Sequence, residues 1–422
     1  MKIKVVSSKI DEVMHMPGYE HKDPARQRPF FRWLLKTLSE GALKKVNFSY
    51  EKAENVENIP ADQPCLFLMN HSSFIDLEIA SKVLYPREFH IICTADGFVG
   101  KEKLMRGIGC IPTFKFISDP VLVKDMLYTV RKLNASILMY PEASYSFDGT
   151  ATPLPDSLGK LLKLLKVPVV MIRTYGAFHR DPLYNNLQLR KVNVSATMRC
   201  LLTPEEIREK SADELNAVLK EVFTFDSWKW QEENNIRITE PFRADGLHRV
   251  LYKCPRCGAE GKMAGEGIFL TCGNCGIRYE LDELGRMVTQ GDPELRRIPE
   301  WYAWERSCVR TEIQKGTYRM ELPVDICVMV NTQAVYRVGE GALLHTSEGF
   351  HLTGCDGKID YHQSAKSSYS LYSDYYWYEI GDMICIGTSK IQYYCFPKEK
   401  GANVAKARLA AEESYQYSTG HS

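Results

Sequence analysis

Two groups of residues in this 422-residue chain have types and spacings suited to chemistry. In the first, Asp76 follows His71 by five residues. A carboxylate held against an imidazole fixes its tautomer and leaves the other ring nitrogen basic. Spacing alone says little, because the ten histidines also give His15 with Glu20 and His351 with Asp356. Context separates the three. Only His71 follows a short apolar run, residues 65–69, and only its acid opens a stretch of helical spacing. A strand end giving onto a helix start is where open α/β sheets place their chemistry. The second group is Cys254-Pro255-Arg256-Cys257 and Cys272-Gly273-Asn274-Cys275, two Cys-x-x-Cys knuckles with 14 residues between them. Two thiolates so spaced can face one ion, and two such hairpins complete a tetrahedral shell. Four sulfur ligands close that shell, so the expected ion is a structural zinc, with a dithiol redox pair as the alternative. Gly258, Gly273 and Gly276 supply the freedom that knuckle turns need.

Further motifs extend the first group. Asn70 precedes His71; Gly109-Cys110-Ile111-Pro112-Thr113-Phe114-Lys115 follows; then come Tyr140-Pro141-Glu142-Ala143-Ser144-Tyr145-Ser146 and Val167-Pro168-Val169-Val170. In order and spacing, residues 30–223 resemble the glycerolipid acyltransferases typified by bacterial 1-acylglycerol-3-phosphate (lysophosphatidic acid) acyltransferase. The resemblance implies His71 as general base and Asp76 as its orienting partner. It also implies Glu142 positioning the acceptor's polar head, and Asn70, Lys115 and Ser144 as further substrate-binding residues. The donor it implies is acyl-CoA or acyl-carrier protein. A neutral imidazole suits removal of a hydroxyl proton as the oxygen attacks a thioester, and no serine or cysteine nucleophile is needed. The chain departs from the family pattern at several positions. Lys115 stands for arginine and lacks its bidentate fork. Ala143 replaces glycine, Ser144 replaces threonine, and Tyr145 occupies the place of a phosphate-binding arginine. Met171 and Ile172 stand where the fourth block ends in proline. Lys101, Arg106 and Lys160 are other cations that could face a phosphate. The departures admit glycerol 3-phosphate or a non-phosphate lipid as acceptor, or an inactive lipid-binding scaffold.

The elements that must position these residues follow from the pattern. Residues 65–69, 90–93, 136–140 and 168–173 read as buried strands, and 74–83, 120–133 and 157–165 as helices between them. That alternation predicts an α/β fold with a largely parallel sheet. Thr203 with Glu206, and Ser211 with Glu214, are capping boxes that open two further helices. The expected domains are an acyltransferase unit over 1–240, a zinc ribbon over 250–285, a connecting helix within 286–317, and a β-rich unit over 318–422. In the last, runs at 324–330, 342–345, 349–352, 376–380, 383–387 and 391–396 read as strands, with a turn at Gly339-Glu340-Gly341. A final helix over 403–415 completes a pattern similar to pleckstrin-homology-like modules. The aromatics of 372–378 suit either a membrane interface or a small β core. Residues 26–45 form a membrane arm: Phe30, Phe31, Leu34, Leu35, Leu38 and Ala42 recur at helical spacing, and Arg26, Arg28, Arg32, Lys36, Lys44 and Lys45 crowd the rest. Such a helix can lie on anionic lipid or pack on its own domain.

Composition limits the function classes. Fifty-four basic and 53 acidic side chains give a net charge of +1, so no global field recruits nucleic acid, and none is expected as a partner. The N-terminus lacks an apolar signal core and no apolar run approaches the roughly 20 residues of a spanning helix. The nine cysteines outside the knuckles are then reduced core residues. The expectation is a peripheral enzyme on the inner face of a bacterial cell membrane, in contact with its surface, a lysolipid and an acyl donor.

Overall fold

A computed structural model describes residues 2–52, 55–291, 293–399 and 404–420. The α/β half is built on a seven-stranded sheet in the order Ser49–Lys52, Ser195–Leu202, Val169–Tyr175, Leu66–Met69, Ser136–Met139, Phe89–Thr94, Cys110–Thr113. Every neighbouring pair is parallel except Val169–Tyr175 with Ser195–Leu202. Leu66–Met69 and Ser136–Met139 are buried on both faces, as central strands of a helix-covered parallel sheet must be. Helices Asp76–Val83, Pro120–Arg131 and Leu158–Leu165 stand between the strands. Pro204–Glu209 and Ala212–Phe223 follow, and both open with the expected reciprocal capping bonds. Separate apolar clusters fill the two faces of the sheet.

The four cysteines lie in a small antiparallel sheet of Met263–Glu266, Phe269–Cys272, Arg278–Leu281 and Met287–Val288. Next comes the helix Ile298–Gln314. Expected as a connector, it is a core element: Trp301, Val309 and Ile313 are buried in the cluster that joins the cysteine module to the C-terminal sheet. That sheet has seven antiparallel strands between Arg319 and Pro397. Two details differ from expectation. Gly339-Glu340-Gly341 is no turn but lies inside the long strand Val335–Thr346, opposite a register shift at Ile326/Cys327. A Cβ on Gly341 would stand 2.1 Å from the Thr353 carbonyl, so this glycine permits close strand approach. The strand expected at 376–380 is Tyr372–Trp377, and Tyr378 and Glu379 turn with positive φ.

The chain's first strand, Val5–Ser7, does not join the α/β sheet. Val335–Thr346 pairs with Gly349–Gly354 only from Gly341 onward, and Val5–Ser7 pairs in parallel with the open stretch Val335 to Arg337. Unpaired backbone on a strand edge favours such covering. The C-terminal helix, expected from residue 403, is described from Val404 to Thr419, and residue 403 lies outside the described residues. A further apolar cluster joins Ala95, Val99 and Phe116 to Cys327, Trp377 and Tyr394, sealing the seam between the halves.

Candidate active site

Leu66–Met69 ends at Asn70, and the backbone then turns through His71 to the helix that starts with Asp76. His71 Nδ1 lies 3.1 Å from Asp76 Oδ2. The same oxygen accepts the backbone N–H groups of Ser72 and Ser73 at 2.8 and 3.1 Å. An oxygen collecting donors in this way requires the proton on Nδ1, which leaves Nε2 as the basic nitrogen. Asp76 Oδ1 is buried with no hydrogen-bond partner among the described residues. Burial pushes the Asp76 carboxyl up to about 7, against the pull of the Ser73 and Ser72 amides. Burial, with the Lys115 charge adding to it, holds His71 well below its ordinary 6.5.

The imidazole is clamped. Tyr140 stacks on it at 4.1 Å between ring centroids and Tyr145 at 3.9 Å, both within 28° of parallel. Two rings at that distance cannot share one face, so they cover opposite faces and leave the edge. In the sequence Tyr145 is a departure from the family pattern and Tyr140 closes a strand run. The signal for the clamp was an aromatic on each side of Pro141-Glu142 directly after a strand.

The other expected residues are in the neighbourhood. Glu142 accepts from the backbone N–H groups of His71 at 3.0 Å and Thr152 at 2.9 Å, one on each oxygen. It thereby ties the His71 turn to the loop at Thr152. Burial pushes its carboxyl up to about 7 as well. Asn70 accepts from the Thr174 backbone N–H at 2.8 Å and donates to Thr174 Oγ1 at 3.0 Å, tying two strand ends together. Ser144 Oγ accepts from Arg408 at 2.6 Å. Lys115 lies with Nζ 4.4 Å from the centre of the Tyr372 ring, and its charge reaches His71. Burial lowers the Lys115 pKa while Asp374 and Asp96 raise it. Of the other cations, Arg106 is paired with Glu102 at 3.0 Å, whereas Lys101 Nζ is buried without a hydrogen-bond partner among the described residues.

These groups open on a cavity of about 2660 Å³ between the two halves of the molecule. His71, Tyr145 and Phe116 line it from the α/β side, and Tyr369, Tyr372 and Arg408 from the C-terminal side. The aromatics of 372–378 are therefore core rather than membrane contacts: Tyr372, Tyr375 and Trp377 are buried, and the Tyr372 hydroxyl donates to Asp96 at 2.6 Å. Arg408 was not foreseen; its sequence signal is one arginine with a glutamate four residues on, inside a run of alanines.

The four knuckle sulfurs converge. Cys254 and Cys275 Sγ are 3.8 Å apart, Cys257 and Cys272 Sγ 3.7 Å, and all four lie within 4.8 Å of one another. Ligands about 2.3 Å from a tetrahedral ion stand roughly 3.8 Å from each other, so the set fits such an ion. The Asn274 side-chain amide, with the backbone N–H of Ala259 next, pulls the Cys257 thiol down to about 6, toward the thiolate that binds metal.

The arm helix, Pro29–Lys45, buries Ser39 and Leu43 and packs against Asp76–Val83. Phe30, Trp33 and Leu38 stay 60%, 51% and 67% exposed. No helix among the described residues is long and apolar enough to cross a membrane.

Comparison with known proteins agrees with the α/β half. Residues 51–174 match the family described as Acyltransferase, a stretch that includes His71, Asp76 and Glu142. The chain is similar to the chloroplastic 1-acyl-sn-glycerol-3-phosphate acyltransferase BAT2 of Brassica napus, 26% identical over 177 residues, 39% of this chain and 51% of the relative. It thus spans about half the length of the curated relative it matches. A crystal structure of the 1-acyl-sn-glycerophosphate acyltransferase PlsC from Thermotoga maritima superposes with a TM-score of 0.37 and 18% identity, over 46% of this chain and 76% of that one. The family match makes residues 51–174 of the α/β half acyltransferase-like, and it ends at Thr174, before the cysteine module begins.

Proposed function

We propose that the protein transfers a fatty acyl group from a thioester donor, acyl-CoA or acyl-carrier protein, to the hydroxyl of a lysophospholipid such as 1-acylglycerol-3-phosphate. The observation that carries this reading is the His71–Asp76 pair at 3.1 Å, its free ring edge set in a largely apolar cavity. In the reaction His71 Nε2 takes the acceptor's hydroxyl proton as its oxygen attacks the thioester carbonyl. The carbon–sulfur bond then breaks, and the imidazolium returns the proton to the leaving thiolate. Asp76 holds the tautomer and balances the imidazolium charge. The cavity is more than twice the roughly 1,000 Å³ at the upper end for a small-molecule pocket, which suits two long-chain substrates together. Lys115 is the cation placed to meet an anionic headgroup. The four cysteines hold one structural zinc, and the exposed face of Pro29–Lys45 rests on the cytoplasmic membrane surface, where the acceptor resides.

Lipid analysis after incubation with acyl donors and a panel of acceptors tests the reading. Lysophosphatidic acid, glycerol 3-phosphate and monoacylglycerol form the panel. An acylated product that His71→Ala reduces by at least about 100-fold, the lower bound for a general base, is the expected result. No product from any pair would mark the protein as a lipid-binding scaffold.

A further inference from the structure

The turn that carries Tyr145 is anchored from outside the α/β half. Arg408 comes from the C-terminal helix Val404–Thr419, 263 residues further along the chain. Its Nη2 donates to Ser144 Oγ at 2.6 Å and its Nη1 to the Tyr145 carbonyl at 3.2 Å. The guanidinium is 3% exposed and lies over the Phe147 ring at 4.6 Å. The anchored turn needs holding: Ala143 sits at φ +55°, a left-handed conformation that costs a non-glycine residue energy. Beyond His71 the Tyr145 ring meets Phe74 (5.2 Å), itself half exposed, and packs against the edge of the apolar cluster that includes Phe147.

We propose that Arg408 is a positioning residue of the catalytic base: it fixes the Ser144–Tyr145 turn so that the Tyr145 ring stays stacked on His71, which makes the C-terminal helix part of the active site. The inference rests on the reading of His71 as the base. Arg408 is itself held in place. Glu412, one helical turn on, faces its Nε at 3.3 Å, and Arg306 and Ser370 hold Glu412 at 2.6 and 2.7 Å. Arg306 and Arg310, both on Ile298–Gln314, grip the neighbouring Glu413. Removing the Arg408 charge thus leaves Glu412 with two partners, and the fold should survive.

The experiment compares R408Q, Y145A and the double variant in acyl transfer, with thermal stability measured alongside. A shift of about 1 Å at a reacting group costs on the order of 100-fold, so each single variant should lower kcat by about 10-fold or more with KM unchanged. The double variant should be no slower than the worse single one, because both remove the same contact. R408K, which keeps the charge and one donor, should recover part of the loss. Full kcat in R408Q, or additive losses, would overturn the proposal. So would a KM increase confined to phosphate-bearing acceptors, which would make Arg408 a headgroup contact. A readout independent of turnover is the ring-proton resonances of His71, which two stacked tyrosines shift upfield. R408Q and Y145A should move them alike. If the wild type shows no turnover and the resonances still respond, the acyltransferase reading falls and the positioning role stands. Unmoved resonances would end the positioning role whatever the activity. Should R408Q not fold, Ser144→Ala removes the 2.6 Å contact and carries the same test.

Discussion

An imidazole between two phenol rings can be approached only along its edge, and here one edge nitrogen is taken by Asp76. The arrangement dictates the pH dependence. A neutral Asp76 carboxyl, its proton on the unpartnered Oδ1, would leave no charge to balance the imidazolium that forms as His71 takes the hydroxyl proton. A protonated ring is equally inactive. Both are the same ionisation of the pair, with one proton too many. Burial raises the acid to about 7 and lowers the imidazole, so the pair loses that proton near 7 and the base-competent form exists above it. We expect kcat/KM to rise between about pH 6 and 8 and then level off. Asp76→Asn should abolish the rise and slow transfer by about 100- to 10,000-fold. A wild-type profile with its inflection near 4, where a solvated carboxylate titrates, would contradict the buried pair. The other enclosed histidines show what a core histidine looks like: His90, His179 and His345 each rest on a carbonyl or a tyrosine hydroxyl, with no hydrogen bond to a carboxylate among the described residues.

At the scale of elements, two helices carry the clearest tests. Leu158–Leu165 crosses the start of Ala212–Phe223 at Gly159, where a Cβ would stand 2.0 Å from the Ala212 carbonyl oxygen. Alanine would favour an isolated helix by up to about 1 kcal/mol, but a backbone carbonyl cannot yield to it. Gly159→Ala should therefore destabilise by about 1–3 kcal/mol, as read from urea unfolding. In the arm helix, Phe31 packs on Gly107 and Leu35 lines the cavity, so substitutions there would confuse docking with folding. Phe30, Trp33 and Leu38 are the exposed set. Replacing all three with Asp should abolish liposome co-sedimentation with little change in Tm. Replacing the exposed Arg28, Lys44 and Lys45 with Glu should remove the dependence on anionic lipid, at about 1 kcal/mol per basic residue. Unchanged binding in both would end the membrane reading. How far these elements were legible follows from how locally they are specified. The central strands, their helices and the two capping boxes are written in contiguous residues and appear within a few positions of where periodicity puts them. The edge strands Ser49–Lys52 and Cys110–Thr113 carry too little apolar pattern to announce themselves. The Gly339–Gly341 stretch failed as a turn because glycine also marks close strand approach, and only the Thr353 carbonyl opposite decides between the two. The His71–Asp76 pair was readable because both residues sit on one turn. The Arg408 contact was not, since nothing local in either segment names the other.

For the whole molecule, the cysteine module is a link in the chain of contacts that ends at the Ser144–Tyr145 turn beside His71. Trp301 of Ile298–Gln314 donates from its indole to the Lys253 carbonyl at 2.9 Å and packs edge-on against Tyr279 at 5.0 Å, while Glu305 accepts from the Lys253 N–H at 2.8 Å. The same helix grips Val404–Thr419 through Arg306 and Arg310, and Glu260 of the module reaches Lys406 directly at 2.7 Å. The loss of a zinc held by the four sulfurs, as proposed above, would therefore be felt in two steps. Structural zinc in small modules contributes about 10–16 kcal/mol of apparent binding free energy, comparable to the roughly 5–15 kcal/mol that holds a domain folded. Without the ion the short sheet Met263–Val288 keeps its apolar side, Leu270, Tyr279 and Leu281, but loses the tie between its two knuckles, and the surface on which Trp301 rests loosens. Freshly purified protein should contain about one zinc per chain. A strong chelator, or Cys254→Ser, should lower Tm by at least about 10 °C, since a few kcal/mol already moves Tm by that much in a unit of this size. Activity at low temperature should fall less than stability does, because the sulfurs touch neither His71 nor the cavity lining and act only through the helices. Zinc-free protein with an unchanged Tm would remove the metal from the structure's support. Activity lost in step with zinc at a temperature where the fold persists would mean instead that the module reaches the catalytic turn through Arg408 more tightly than a brace does.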